Sequence, residues 1–185
     1  MARWTAAFQA HHLDAAQVLL TTDDVMRRDH YTNVRAALSR LLGLGVVPIL
    51  NENDAVTTRE LRFGDNDRLA ALIAQMIKAD ALVLLTDVDG LYTAPPDHPG
   101  SELIERVASA DDLMSVLVTG AGSRVGTGGM ATKVQAAMLA TASGIGVQLA
   151  SANDLGPVLE GRRVGTWFEP SAQRPASRRL WIAHV

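Results

Sequence analysis

The fold is indicated most clearly by LAALIAQMIKADALVLLTDVDG, residues 69–90. Its first half repeats apolar side chains at the spacing of one helix face, namely Leu69, Leu72, Ile73, Met76 and Ile77. Its second half, ALVLLT at 81–86, is continuously apolar, which is typical of a strand buried on both faces. A helix over 66–78 followed at once by a buried strand predicts an α/β protein.

The same two patterns alternate along the rest of the chain. Further buried strands are predicted at 16–21, 46–50 and 147–151, and further helices at 29–43 and between Lys133 and Gly144. Parallel strands that are covered by helices on both faces have this kind of sequence. We therefore predict a three-layer α/β sandwich with a mainly parallel sheet.

Weaker signals predict two smaller elements and an unusual beginning. TTRELRF at 57–63 alternates like a hairpin, and Ser109 with Asp112 forms a capping box that starts a short helix. Residues 1–15 resemble the second half of a helix that leads straight into a central strand. A doubly wound sheet normally has more strands than the four that are evident. We expect its N-terminal strands to be missing and residues 1–185 to form one partial domain with no second domain.

Composition excludes several classes of protein. The 185 residues are 48% hydrophobic and carry a net charge of −3, which gives no general attraction to nucleic acid. A local cluster of arginines near the end is read as a solvated surface: Arg162, Arg163, Arg174, Arg178 and Arg179. The absence of cysteine excludes disulfides and thiolate metal sites. No leader opens the chain and its apolar runs are too short to span a bilayer, so we expect a cytoplasmic protein without membrane association.

Polar residues follow the predicted strands and open the helix at 66. NENDAV comes after the strand at 46–50, GDNDR opens the helix, and TDVDG follows the strand at 81–86. Because ligands of open α/β sheets bind beyond the carboxyl ends of the strands, we expect these residues to converge on one rim. They include Asn51, Asn53, Asp54, Asp65, Asn66 and Asp67. The alternative is that NEND is only a turn and GDND only a helix cap, which accounts for one or two of them.

A glycine-rich segment, RVGTGGMATK at 124–133, precedes the helix that ends near Gly144. Free N–H groups at a helix N-terminus attract anions, and glycines let an oxyanion approach the backbone. Lys133 places a cation in the first turn, where the helix dipole disfavours it unless an anion is bound. The segment lacks the Gly-Lys-Ser/Thr of a Walker A loop, and many glycine-rich loops bind nothing. In this context we interpret it as a phosphate-binding loop.

Together the polar rim and this loop indicate phosphoryl transfer to a polar or amine-bearing substrate. Asn side chains and backbone amides can hold a carboxylate, Asp54 can hold an ammonium group, and Lys133 can neutralise a phosphoryl group in transfer. Asp65 or Asp67 could orient Lys133 or a Mg²⁺-bound nucleotide. A metal-only hydrolase is the weaker alternative, because the five histidines show no ligand spacing. We therefore predict no protein-bound metal site.

The order and spacing of NENDAV, ELRFGDNDRLAAL, ADALVLLTDVDGLYT and GTGGMATK resemble the glutamate 5-kinases of the amino-acid kinase family. This resemblance implies transfer of the γ-phosphate of ATP, with Mg²⁺, to the side-chain carboxylate of L-glutamate, the first step of proline synthesis. It implies that Asp54, Asn66 and Asn53 bind glutamate and that Asp65 and Asp67 support catalysis. It also implies nucleotide contacts from Thr86, Asp87, Thr127, Gly128, Gly129, Met130, Ala131, Thr132 and Lys133, with Lys133 acting in the transition state.

The resemblance extends to partners and has one departure. Proline as a feedback inhibitor and a homo-oligomeric assembly are expected from it. The family's opening Lys-Leu/Val-Gly-Thr/Ser strand and its Ser-Gly-Ala segment do not occur, so the chain resembles the C-terminal two-thirds of the kinase domain. A non-catalytic fragment or regulatory binding module, and another family member such as an acetylglutamate kinase, are therefore the alternatives.

Overall fold

The structure, a computed structural model, describes residues 1–53, 66–109, 112–113 and 129–171. The chain divides into two compact units, Met1–Leu69 and Ala70–Val185. The organisation of residues 1–185 as one domain stays a prediction. Each unit is built around its own sheet.

The first unit contains two parallel strands linked by helices. Its elements are α1 (Ala2–Gln9), β1 (Asp14–Leu20), α2 (Thr22–Met26), α3 (Arg28–Gly43) and β2 (Val46–Glu52). The register of β1 and β2 runs from Asp14 opposite Val46 to Leu20 opposite Glu52. Leu38 of α3 is buried at 1% exposure, and Gly45 makes the positive-φ turn into β2. This is the strand–helix–strand unit that the apolar runs predicted.

The second unit contains a four-stranded sheet. It is preceded by α4 (Asn66–Ile77), and its further elements are β3 (Ala81–Thr86), β4 (Arg106–Val107), α5 (Met130–Ala142), β5 (Gly146–Ser151), α6 (Leu155–Leu159) and β6 (Thr166–Phe168). The strand order is β3-β5-β6-β4. The pairs β3/β5 and β4/β6 are parallel, whereas β5/β6 is antiparallel.

The core of the second unit lies between this sheet and α5. Val147, Leu149 and Phe168 of the sheet are buried at 0–1% exposure. The inner face of α5 carries small side chains at its most buried positions: Ala136, Ala137, Ala140 and Thr141. Alanines on this face let the helix pack close to the strands. Gly144, at φ 77°, ends the helix and turns the chain into β5.

The predicted α/β fold with a mainly parallel sheet is confirmed, since three of the four pairings between described strands are parallel. The four predicted strands are all present. Their distribution over two sheets was not predicted, nor were β4 and β6, whose apolar runs are too short to show a period. The capping-box residue Asp112 accepts the backbone N–H of Ser109 at 2.9 Å, as predicted. The hairpin predicted at 57–63 lies outside the described residues.

Candidate active site

The carboxyl edge of the four-stranded sheet brings the first group of predicted residues to one place. Thr86, the last residue of β3, is paired in register with Ser151, the last residue of β5. The Thr86 hydroxyl donates a hydrogen bond of 3.1 Å to the carboxylate of Asp87. The side chain of Asp87 is exposed. Thr86 and Asp87 therefore present a hydroxyl and a carboxylate at the edge where ligands of such sheets bind.

The N-terminus of α5 reaches this same edge. α5 packs on β5 and β3, and its end is joined to β5 by a tight turn through Gly144. The helix has 13 residues and the strand has 6, so both are about 20 Å long. Because the helix runs back along the strand, its first turn lies beside the carboxyl end of β5. Thr86, Asp87 and the first turn of α5 thus lie at one edge, and the common rim as a binding site stays a prediction.

The first turn of α5 has the features of an anion site. Gly129 is its N-cap and is exposed, and no atom of the described residues lies within 4 Å of where a Cβ would be. In the part of the chain that the structure describes, no side chain caps this helix, and no acidic residue occupies its first turn. The Thr132 hydroxyl donates to the carbonyl of Gly129 at 3.0 Å, within the first turn of the helix. Lys133 lies in this turn and is half-buried.

The remaining residues predicted in this loop differ in what they can offer. Ala131 is exposed, whereas the side chain of Met130 packs against the apolar core of the second unit. Thr127 and Gly128 lie outside the described residues.

The first unit has a polar edge of its own, at the carboxyl ends of β1 and β2. The backbone N–H of Asn53 donates to the carbonyl of Leu20 at 2.7 Å, which fixes Asn53 directly beyond β2. Asn66 is exposed and Asp67 half-buried in the first turn of α4, where an acidic side chain is favoured by the helix dipole. Asp54 and Asp65 lie outside the described residues.

A hydrogen-bonded cluster after β1 was not predicted. The carboxylate of Asp24 accepts the backbone N–H and the hydroxyl of Thr21, both at 2.7 Å, and lies 3.2 Å from Nδ1 of His30. Burial raises the pKa of Asp24, but the bonds from Thr21 and His30 outweigh burial and hold that pKa below its usual 3.8. The cluster ties the beginning of α2 to α3 beside the polar edge of the first unit.

Three more polar residues at the carboxyl end of β5 were not predicted as site residues, although the sequence carried a signal for them: Ser151, Asn153 and Asp154. Ser151 is buried, and its hydroxyl oxygen accepts the N–H of Asn153 at 3.3 Å. The polar residues Ser151, Asn153 and Asp154 follow an apolar strand, just as Asp87 does, so the rule that found Asp87 would have found them. The same rule applied after β1 would have found Asp24.

Metal ligands and membrane spans were sought in the same part of the chain. Across residues 1–53, 66–109, 112–113 and 129–171, no three His, Cys, Asp or Glu side chains are grouped as a metal ion would require. Within those ranges no helix has the length and apolar character needed to cross a bilayer.

Comparison with known proteins places the chain in a family. The sequence profile of the amino acid kinase family matches residues 1–151. The chain belongs to the amino acid kinase family. Among solved structures, the UMP kinase of Ureaplasma parvum shares the fold of this family member, with a TM-score of 0.57 over 89% of this chain and 63% of that one, at 15% identity.

Curated relatives of this family member are closer in sequence. It is 56% identical over 184 residues to the glutamate 5-kinase of Salinispora arenicola, covering 99% of this chain and 50% of that protein. It is 54% identical to the glutamate 5-kinase of Thermobifida fusca, covering 100% of this chain and 48% of that protein. The chain thus spans about half the length of the curated relatives that it matches.

Proposed function

We propose that this chain carries the ATP- and glutamate-binding residues of a glutamate 5-kinase. The observation that carries the proposal is the placement of the α5 N-terminus, with Lys133 in its first turn, at the sheet edge where β3 delivers Thr86 and Asp87. The sequence similarity to two glutamate 5-kinases supports the choice of glutamate as phosphoryl acceptor.

The chemistry requires positioning and charge stabilisation more than proton transfer. A glutamate side-chain carboxylate has a pKa of about 4.3 and is already ionised at neutral pH, so no general base is needed. One of its oxygens attacks the γ-phosphorus of MgATP, the bond to the β,γ-bridging oxygen breaks, and ADP leaves. The negative charge that develops on the phosphoryl and bridging oxygens is then the main target for stabilisation.

On this proposal the residues divide into two groups. In the second unit, the amide N–H groups of the first turn of α5 and the Lys133 ammonium hold the phosphates, and Asp87 interacts with the magnesium-bound nucleotide. In the first unit and at the start of α4, the predicted glutamate ligands are Asn53, Asp54 and Asn66. Asp65 and Asp67 are proposed as supporting acidic residues. They are not assigned a role as general bases, because the acceptor carboxylate is already ionised and has no proton to remove.

The nucleotide half of the proposal is tested by directed labelling. The sequence has two lysines, Lys78 and Lys133. A pyridoxal ester of ADP, with its aldehyde near the position of the γ-phosphate, forms an imine with a nearby lysine that borohydride reduces to a stable adduct. We expect peptide mapping to find the adduct on Lys133, with Lys78 as the internal control, and MgATP to prevent it. Equal labelling of both lysines, unaffected by MgATP, would contradict the proposal.

The acceptor is tested by trapping the product. An acyl phosphate reacts with hydroxylamine to give a hydroxamate, so ADP release that is matched by hydroxamate identifies a carboxylate acceptor. We expect L-glutamate to support this reaction and N-acetylglutamate not to, because an acetylated amine offers no ammonium group to Asp54. The reverse preference would favour an acetylglutamate kinase, and nucleotide binding without turnover would favour a binding module.

Three further expectations belong to this proposal and rest on the resemblance alone. They are inhibition by proline, a homo-oligomeric assembly and a cytoplasmic location. A glutamate titration repeated with proline present, and sedimentation of the purified protein, are the measurements that test the first two.

A further inference from the structure

Thr166 makes a buried hydrogen bond to the segment that follows β3. It lies in β6 opposite Leu149 and has 0% exposure. Its hydroxyl oxygen accepts the backbone N–H of Leu91 at 2.8 Å, although the two residues are 75 positions apart. A backbone donor at this depth has no water to replace the bond, so its partner matters.

The backbones approach each other closely at this point because two glycines permit it. A Cβ on Gly90 would lie 2.8 Å from the Thr166 hydroxyl oxygen and 3.1 Å from the Thr166 amide nitrogen. Gly165 has φ +67°, and a Cβ there would lie 2.7 Å from the carbonyl oxygen of Asp89 and would overlap that of Leu149. The turn before β6 therefore packs directly on the backbone of residues 89–91.

The same segment is held from its other side. The carbonyl of Leu91 accepts the N–H of Ile104 at 2.8 Å, and the N–H of Thr93 donates to the carbonyl of Glu102 at 3.0 Å. Within the segment, the Tyr92 hydroxyl donates to the carboxylate of Asp89 at 3.3 Å. Leu91 is thus fixed by bonds to both its N–H and its carbonyl.

We infer that Thr166 is a positioning residue that sets the direction of Asp87. Asp87 lies at the carboxyl edge of the four-stranded sheet, where Thr86 ends β3 and α5 begins, and this edge is called the nucleotide edge below. Residues 87–90 run between two fixed points, the end of β3 at Thr86 and the anchored amide of Leu91. Among the described residues, the side chain of Asp87 has one hydrogen bond, the local one from Thr86, so the direction of that side chain depends on where the segment is anchored. The inference rests on the proposed function, since it assigns Thr166 to the ATP-binding side of that site.

The test compares three variants of the full chain. Thr166→Val keeps the shape of the side chain and removes the acceptor for Leu91, whereas Thr166→Ser keeps the acceptor. Thr141→Val is the matched control: Thr141 is also buried, but its hydroxyl donates within α5 to Met138, at the opposite end of the helix from the nucleotide edge. MgADP and MgATP binding is measured by calorimetry, with thermal unfolding recorded for each variant.

We expect Thr166→Val to raise the nucleotide Kd about tenfold, while Thr166→Ser and Thr141→Val stay within about twofold of the unsubstituted chain. The Kd values are compared at a temperature at which thermal unfolding shows every variant to be folded, so that a loss of stability alone does not change them. Nucleotide binding that Thr166→Val leaves unchanged would overturn the positioning role alone. A folded, unsubstituted chain that binds neither nucleotide would overturn the proposed function, and the inference with it.

A second measurement needs no substitution, so it also decides the matter if Thr166→Val does not fold. If the Leu91–Thr166 bond favours nucleotide binding, bound nucleotide must favour the bond by the same factor. Saturating MgATP should therefore slow amide hydrogen exchange at Leu91, with little change at the Ser171 amide, which donates to Thr141 at the far end of α5. An unchanged exchange rate at Leu91 in chain that has bound MgATP would contradict the inference.

Discussion

Thr86 and Ser151 lie opposite each other at the carboxyl ends of β3 and β5; Asp87 follows Thr86 directly, and Asn153 follows Ser151 two positions later. The hydroxyl of Thr86 donates to Asp87, and the hydroxyl oxygen of Ser151 accepts the N–H of Asn153. Two adjacent parallel strands thus end in hydroxyl residues that organise the first residues beyond the sheet. The first turn of α5 lies beside this pair.

Lys133→Ala is expected to lower kcat in the kinase by about 10²–10³-fold, because removing a group that stabilises transition-state charge costs ~2.7–4 kcal/mol. The KM for glutamate should change little. Steady-state ADP release with both substrates varied is the measurement, and Lys78→Ala is the matched control, since Lys78 is exposed just beyond α4. An unchanged kcat with a raised glutamate KM would reassign Lys133 to substrate binding.

Asn66→Ala is expected to act on glutamate binding, raising the glutamate KM about tenfold or more with a smaller fall in kcat, since a hydrogen bond to a charged group is worth ~1.5–3 kcal/mol. Asp54→Ala should behave in the same way. Asn33→Ala, an exposed asparagine of α3, serves as the control. Equal losses in kcat and kcat/KM would instead indicate that Asn66 acts only in the transition state.

Asp24→Ala is expected to lower the free energy of unfolding by about 1.5–3 kcal/mol at pH 7, because the charged acceptor for Thr21 is lost. The folded-state pKa of Asp24 is depressed, so its stabilisation is complete above the ordinary value of 3.8 and is lost as the pH falls through the folded-state pKa. Urea denaturation at pH 7 and pH 3 should therefore show a smaller difference between variant and parent at pH 3. The exposed Asp80→Ala is the control, and a difference that does not shrink at pH 3 would disprove the linkage.

Gly165→Ala is expected to destabilise the chain by about 1–3 kcal/mol more than Gly161→Ala, as overpacking usually does. Both glycines have positive φ, at 67° and 74°, so they share the backbone cost of a side chain. At Gly165 the added Cβ would collide with the carbonyl oxygens of Leu149 and Asp89, whereas at Gly161 no atom of the described residues lies within 4 Å of it. Chemical denaturation of the two variants measures the difference, and equal losses would show that the crowding at Gly165 is relieved at no cost.

Patterns of local sequence were sufficient for much of the fold and for part of the candidate site. The strand 81–86 was predicted with the bounds that it has, because apolar runs and their polar ends are local signals. Thr86, Asp87 and the first turn of α5 were placed on one edge by the same reasoning. Their roles in binding and catalysis stay predictions.

Local sequence patterns do not predict hydrogen bonds and strand pairings between residues that are far apart in the chain. Thr166 belongs to a strand of 3 residues, and its bond to Leu91 joins positions 75 apart, so neither periodicity nor spacing indicates it. The antiparallel pairing of β5 with β6 is likewise a consequence of where the chain returns after α6. The Asp24 cluster is different, because its polar residues follow β1 directly and could have been recognised.

The alanine face of α5 has a consequence for how this protein can vary. Ala136, Ala137 and Ala140 are 0–1% exposed, so this face of the helix packs closely against the core of the second unit. A bulkier residue at Ala140 would push the C-terminal half of the helix off the sheet and would shift the first turn, with Lys133, relative to the strand ends. The position of Lys133 relative to the strand ends therefore depends on a packing contact about two helical turns away, and not only on the residues of the first turn.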